Sequence, residues 1–124
     1  MTLFAPGPDP RPIRRLFIAN RGEIAVRILR ACRDLGITAI AAYADPDRDA
    51  PFARMADEAH ALPGTTPAQT YLNAEALIAL ALKTRADALH PGYGFLSERA
   101  DFARAVIAAG LIWIGPDPEV IEAL

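Results

Sequence analysis

The run His90-Pro91-Gly92-Tyr93-Gly94-Phe95 gathers the residues of this chain best suited to hold a small molecule. A tyrosine offers a flat apolar face and one hydroxyl that both donates and accepts. Glycines on either side open backbone angles closed to other residues, so the ring can be projected away from the chain. Pro91 stiffens the approach. Such a loop could seat a planar ligand. It could equally be a tight turn with a packing aromatic, and residue types alone leave both open.

Other candidates reduce to simpler readings. The stretch from Phe17 to Ile28, FIANRGEIAVRI, lies at the first strand-to-helix turn, where doubly wound folds bind phosphate. A dinucleotide site there needs glycines spaced G-x-G-x-x-G, and only Gly22 is present. Asp45, just past the second strand, is placed for a ribose-binding acid and keeps that reading open. There is no G-x-x-x-x-G-K-[ST] phosphate loop. Residues 45–49, DPDRD, begin like a calcium loop but have Ala50 and Ala56 where glycine and glutamate are required. His60 and His90 have no clustered carboxylates or cysteines, so no metal site is expected. Ser97 reads as a helix cap rather than a nucleophile. Cys32, the only cysteine, excludes a disulfide within the chain and reads as a buried thiol.

The elements that must position these residues alternate. Strands are expected at 15–19, 37–43, 58–62, 86–90 and 111–115. Helices are expected at 23–35 (closed by Gly36), near 52–56, at 74–84, at 98–109 and from Asp117-Pro118 onward. Asn73 is placed to cap the third helix, with Leu72 packing on Leu77. Strands alternating with helices over short links imply a parallel sheet of about five strands covered on both faces. On the first helix, Ile24, Ile28, Ala31 and Leu35 form the expected core-facing row, widened by Ala25, Leu29 and Cys32. Glu23, Arg27, Arg30 and Asp34 form a charged stripe, either a solvated face or a subunit surface.

The bulk composition narrows the class. At 124 residues, 52% hydrophobic and 23% charged, the chain is sized for one globular α/β domain. A net charge of -2 without a basic cluster gives no support for a nucleic-acid partner. No apolar run approaches the ~20 residues that span a bilayer, nor does the start resemble a signal peptide, so no membrane partner and a cytoplasmic location are expected. Prolines at 6, 8, 10 and 12 make residues 1–12 a disordered lead-in to a domain over 13–124. The final helix stops about two turns in, which suggests a piece cut from something longer.

Taken together, IANRGEIAVRILRACRDLGI and HPGYGFLSE resemble the opening domain of biotin carboxylases, from about Ile13 to the end, with IWIGP also in place. The resemblance implies a Rossmann-like domain that precedes an ATP-grasp domain. It implies an enzyme that activates bicarbonate with MgATP and carboxylates biotin on a carrier protein, for use by a carboxyltransferase. On that likeness Tyr93 helps seat biotin and Gly92 and Gly94 shape its loop, with His90 and Glu98 as supporting positions. Arg27, Arg30 and Asp34 become candidates for a homodimer interface, Asp34 being shorter than the glutamate common there. The family's nucleotide-clamping, magnesium-binding and catalytic residues all follow this domain. No catalytic residue is therefore assigned here, the isolated chain is expected to bind no cofactor and turn nothing over, and loss of the rest of the interface favours a monomer. Another ATP-grasp ligase, or a non-catalytic dimerisation module, are the competing readings.

Overall fold

The computed structural model describes residues 11–123, so the first ten residues of the expected lead-in lie outside them. Among the described residues five strands pair in parallel: β1 (Arg15–Ile18), β2 (Thr38–Ala44), β3 (Glu58–Leu62), β4 (Ala88–His90) and β5 (Ile112–Trp113). Their spatial order is β3-β2-β1-β4-β5. Helices α1 (Gly22–Leu35), α2 (Pro51–Met55), α3 (Ala74–Lys83) and α4 (Ala100–Ala108) link successive strands, and α5 (Pro118–Ala123) follows β5. This is the parallel α/β sheet expected from the alternation, in the Rossmann-like form that the resemblance implies. Because the chain winds outward from β1 to β3 and then returns to β4, the carboxyl ends of β1 and β4 flank the topological switch point. Open parallel sheets bind ligands there.

The two-residue period of the strands divides the core between two faces. Leu16 and Ile18 point to one side, with Ala25, Ile28 and Leu29 of α1 and Phe52 of α2. Phe17 and Ile40, paired in register, point to the other, with Leu77 and Ala81 of α3 and Phe102 and Val106 of α4. Each large aliphatic or aromatic side chain removed from water contributes about 1.5–3 kcal/mol. Trp113 closes the second face, its ring edge-on to Phe102 and its Nε1 donating to the Pro116 carbonyl at 2.9 Å.

Local signals hold in several places. Gly36 adopts the left-handed conformation (φ 71°) and closes α1, with the Ile37 amide donating back to the Cys32 carbonyl. Asn73 caps α3 by accepting from the Ala76 amide. No helix among the described residues is long and apolar enough to cross a membrane.

Four expectations are corrected. The sheet-facing side of α1 is Ala25, Val26, Ile28, Leu29 and Cys32, whereas Leu35 is 73% exposed, Ala31 is exposed and Ile24 is half-buried. The apolar arc of α1 is wider than the strip the sheet can cover: of the expected row only Ile28 faces inward, and Ile24, Ala31 and Leu35 lie on the outer half. Leu72 is exposed rather than sealed against Leu77, which sits deep in the core. Helix α4 starts at Ala100, not at 98. Successive turns, with Ser97 donating to the Gly94 carbonyl and Arg99 to that of Leu96, occupy the gap, so Ser97 is not its cap. Strands β4 and β5 are shorter than expected, because Asp87 turns its carboxylate to the Arg14 and Arg15 amides and Gly115-Pro116 ends the last strand.

Candidate functional site

Two loops meet at the switch point, residues 19–21 after β1 and residues 91–95 after β4. Asn20 joins them. Its residue is only 1% exposed, and its carboxamide is used on every side. Nδ2 donates to the carbonyls of Pro91 (2.8 Å) and Tyr93 (2.7 Å), while Oδ1 accepts from the Arg21 amide (2.8 Å). A buried carboxamide without such partners would be costly, so its presence and the loop's path require each other.

Gly92 (φ 65°) and Gly94 (φ 68°) both take left-handed angles, as their flanking positions suggested. They differ in surroundings. A Cβ on Gly92 would fall 2.7 Å from Ile24 Cγ2 and 2.8 Å from Asn20 Nδ2, while one on Gly94 would meet nothing within 4 Å. Gly92 therefore permits close approach of the loop to α1, and Gly94 supplies only a turn. Tyr93 between them is 66% exposed, its ring presented outward from the carboxyl edge of the sheet.

His90 ends β4 and is half-buried. Its Nδ1 accepts from the Gly92 amide at 3.0 Å, which requires a lone pair there and places the proton of the neutral ring on Nε2. Burial pushes its pKa down to about 4. It is a structural acceptor at neutral pH.

A second group was not legible in the sequence. Asp47, buried in the turn after β2, receives a two-pronged bond from Arg21 (Nε and a terminal nitrogen, both 2.7 Å) and a third bond from the Tyr71 hydroxyl at 2.6 Å. The Tyr71 oxygen in turn accepts from the Ala44 amide at 2.9 Å. Bonding from Arg21 holds the Asp47 carboxyl below its usual range against the opposing effect of burial, while burial and then Asp47 push the Tyr71 hydroxyl up. Tyr71 stacks on Phe95 with ring centroids 5.4 Å apart. Phe95 itself has φ 46°, a strained value for a bulky side chain. Asp45, the acid suggested for a ribose, is not the one this network uses.

Beside Tyr93 the outer half of α1 borders an apolar groove of about 350 Å³, lined among others by Ile24, Arg27, Ala31, Leu35, His90 and Tyr93. Gly92 also lines it, so the structure brings Gly92, Tyr93, His90 and Arg27 to one place. Gly94, Glu98, Arg30 and Asp34 are exposed and do not line it. Arg27 approaches Glu23 at 4.0 Å in an exposed i,i+4 pair, worth a few tenths of a kcal/mol. A larger cleft of about 620 Å³, lined by Arg15, Glu58, His60 and Lys83 among others, opens at the opposite edge of the sheet. Arg15 there is committed to Glu58 (2.7 Å) and to the Thr84 carbonyl (2.8 Å). No group of three or more His, Cys, Asp or Glu among the described residues is arranged to hold a metal ion.

Residues 12–121 match the family described as "Biotin carboxylase, N-terminal domain". The chain is 56% identical over 112 residues to the biotin-dependent acyl-coenzyme A carboxylase alpha3 subunit of Mycobacterium leprae, covering 90% of itself and 19% of that protein. It is 54% identical over 111 residues to the biotin carboxylase of Allochromatium vinosum, covering 24% of it. Among solved structures it superposes with a TM-score of 0.85 and 47% identity on the biotin carboxylase domain dimer of the Hydrogenobacter thermophilus 2-oxoglutarate carboxylase, in complex with MgADP, ADP and bicarbonate. That match covers 90% of this chain and 24% of the other. The chain thus spans between 19% and 24% of the length of these relatives.

Proposed function

Because the chain belongs to the biotin carboxylase N-terminal domain family, we propose that it forms the biotin-facing edge of an enzyme that carboxylates biotin on a carrier protein with MgATP and bicarbonate. The observation that carries this reading is the presentation of Tyr93. An exposed aromatic ring stands at the switch point of the sheet, on a loop clamped from beneath by Asn20. Its face and hydroxyl suit a small, flat, polar ring attached to an apolar chain. Gly92 and Gly94 shape the loop, His90 holds the Gly92 amide, and Glu98 lies at the loop's exposed far end. No phosphate loop or metal cluster accompanies them among the described residues. ATP binding and phosphoryl chemistry accordingly belong to further domains of a longer enzyme, and the 124 residues alone are inactive and bind neither ATP nor free biotin appreciably.

The same reading makes the exposed stripe Arg27, Arg30 and Asp34 part of a homodimer surface in the complete enzyme. The isolated chain, lacking the rest of that surface, is a monomer. A cytoplasmic enzyme working with a carrier protein and a carboxyltransferase completes the proposal.

A domain exchange tests it. This chain replaces the matching 111 residues of the Allochromatium vinosum biotin carboxylase. Bicarbonate-dependent ADP release and carboxylation of biotin are then measured beside the same enzyme lacking the segment. Recovery of biotin carboxylation in the exchanged enzyme alone is expected. A folded exchanged enzyme without it would overturn the proposal and leave a non-catalytic association module. Opposite charges at Arg27 and Arg30 should shift the exchanged enzyme from dimer to monomer in sedimentation, and an unchanged dimer removes the stripe from the interface.

A further inference from the structure

Asn20 and Arg21 are adjacent in sequence, yet they engage opposite ends of the 91–95 loop by different routes. Asn20 bonds directly to the carbonyls of Pro91 and Tyr93. Arg21 reaches the other end in three steps, through the two-pronged bond to Asp47, the Asp47–Tyr71 bond and the Tyr71–Phe95 stack. Phe95 holds a strained φ of 46°, and such a conformation persists only where its surroundings impose it. Gly92 is wedged against Asn20 and Ile24, so the loop cannot settle closer to α1 without displacing the carboxamide. The exposed Tyr93 lies between two fixed points.

We infer that Asn20 and Arg21 are paired positioning residues that set the height and direction of the Tyr93 ring. Asn20 acts on the backbone on both sides of the ring, at the Pro91 and Tyr93 carbonyls, and Arg21 acts further along, at Phe95, through Asp47 and Tyr71. Neither touches the ligand. Their role rests on the proposal that Tyr93 faces biotin, but the clamp itself is a property of this chain and can be read without any ligand.

Amide exchange by NMR on the 124-residue protein reads the clamp. The Gly92 amide, held on His90 Nδ1, and the Ser97 amide, held on the Gly94 carbonyl, report the two ends of the loop. Asn20→Ala should speed exchange at Gly92 at least tenfold, with core amides such as Phe17 and Ile40 within twofold of wild type. Arg21→Gln, at a half-exposed side chain, should speed Ser97 more than Gly92. Equal rates in wild type and both variants overturn the inference. If Asn20→Ala fails to fold, the wild-type protein still decides its half. The Asn20 side-chain amide protons should exchange at least ten times more slowly than those of the exposed Gln69, and comparable rates count against the clamp.

The ligand side is read separately in the domain-exchanged enzyme. Both variants should raise the KM for biotin about tenfold or more while leaving kcat for biotin carboxylation within about threefold. Loss of kcat at unchanged KM would show a merely structural role. An exchanged enzyme inactive with the wild-type chain would remove the biotin reading while leaving the exchange result on the clamp intact.

Discussion

Asn20 holds the backbone of Tyr93, 73 positions further along the chain, at 2.7 Å. The most exposed aromatic ring of the candidate site is therefore fixed by one of the least exposed polar side chains in the protein. The arrangement separates two tasks. On the proposed biotin-facing role, the surface residue is free to meet the ligand while the buried one bears the cost of ordering the loop beforehand, which is how preorganisation raises affinity.

Gly92→Ala and Gly94→Ala should differ although both glycines have positive φ. At Gly94 only backbone strain is added, about 1 kcal/mol. At Gly92 the same strain combines with overlap of Ile24 and of the fully bonded Asn20, for a total of about 2–4 kcal/mol. Urea unfolding of the two variants checks this, and equal midpoints would remove the close approach from the explanation.

His90 should make the protein acid-sensitive in a defined window. Its folded pKa is depressed, first by burial, from 6.5 to about 4, and the Gly92 amide favours the neutral ring further. The unfolded chain therefore takes up a proton near pH 6.5 that the folded chain refuses until about pH 4. The stabilisation is complete above 6.5 and is lost as pH falls toward 4, by up to about 3 kcal/mol. Urea midpoints at pH 7.5, 6 and 5 should fall in the wild type and fall less in His90→Asn. Parallel slopes in the two proteins would assign the acid sensitivity to other groups.

In the domain-exchanged enzyme, Tyr93→Phe should raise the KM for biotin several-fold, the loss of about one hydrogen bond, with ATP cleavage little changed. Tyr93→Ala should cost more, because the ring face goes as well. A collapse of ATP cleavage in Tyr93→Phe would place this residue in the phosphoryl chemistry instead.

Cys32 should resist thiol reagents. It lies buried on α1, and burial pushes its pKa up to about 11, so almost no thiolate exists at pH 8. Ellman's reagent should titrate no thiol in the folded protein and one after denaturation. Rapid labelling of the folded state would mean that α1 opens readily from the sheet.

The alternation of short apolar runs with helical patterns was enough to read the sheet, because its central strands lie under helices on both faces and most links are brief. The failures have local causes. On α1 the apolar residues span more of the circumference than a sheet can cover, so periodicity found the arc but not which half faces inward. Asp45, Asp47 and Asp49 are equivalent by spacing. Only the turn after β2 decides that Asp47 is turned under to meet Arg21 and Tyr71, the latter 24 residues away. Asn20 read as an ordinary turn residue because its partners lie beyond α3. What could have marked it is a short polar residue directly after an apolar strand, at the one turn that must face the switch point. Tyr93 and its glycines were visible because their chemistry is local.

The split core also has a consequence for synthesis. Residues up to β3 supply most of one face of the sheet with α1 and α2, short of Ala88 and Ile112, but the opposite face, with Phe17 and Ile40, is roofed by α3 and α4 with Ile121 of α5. A nascent chain paused after residue 62 would present that bare apolar surface to its neighbours until residues 74–108 emerge. Truncated products ending in that interval should be the aggregation-prone ones, and chaperone demand should peak there.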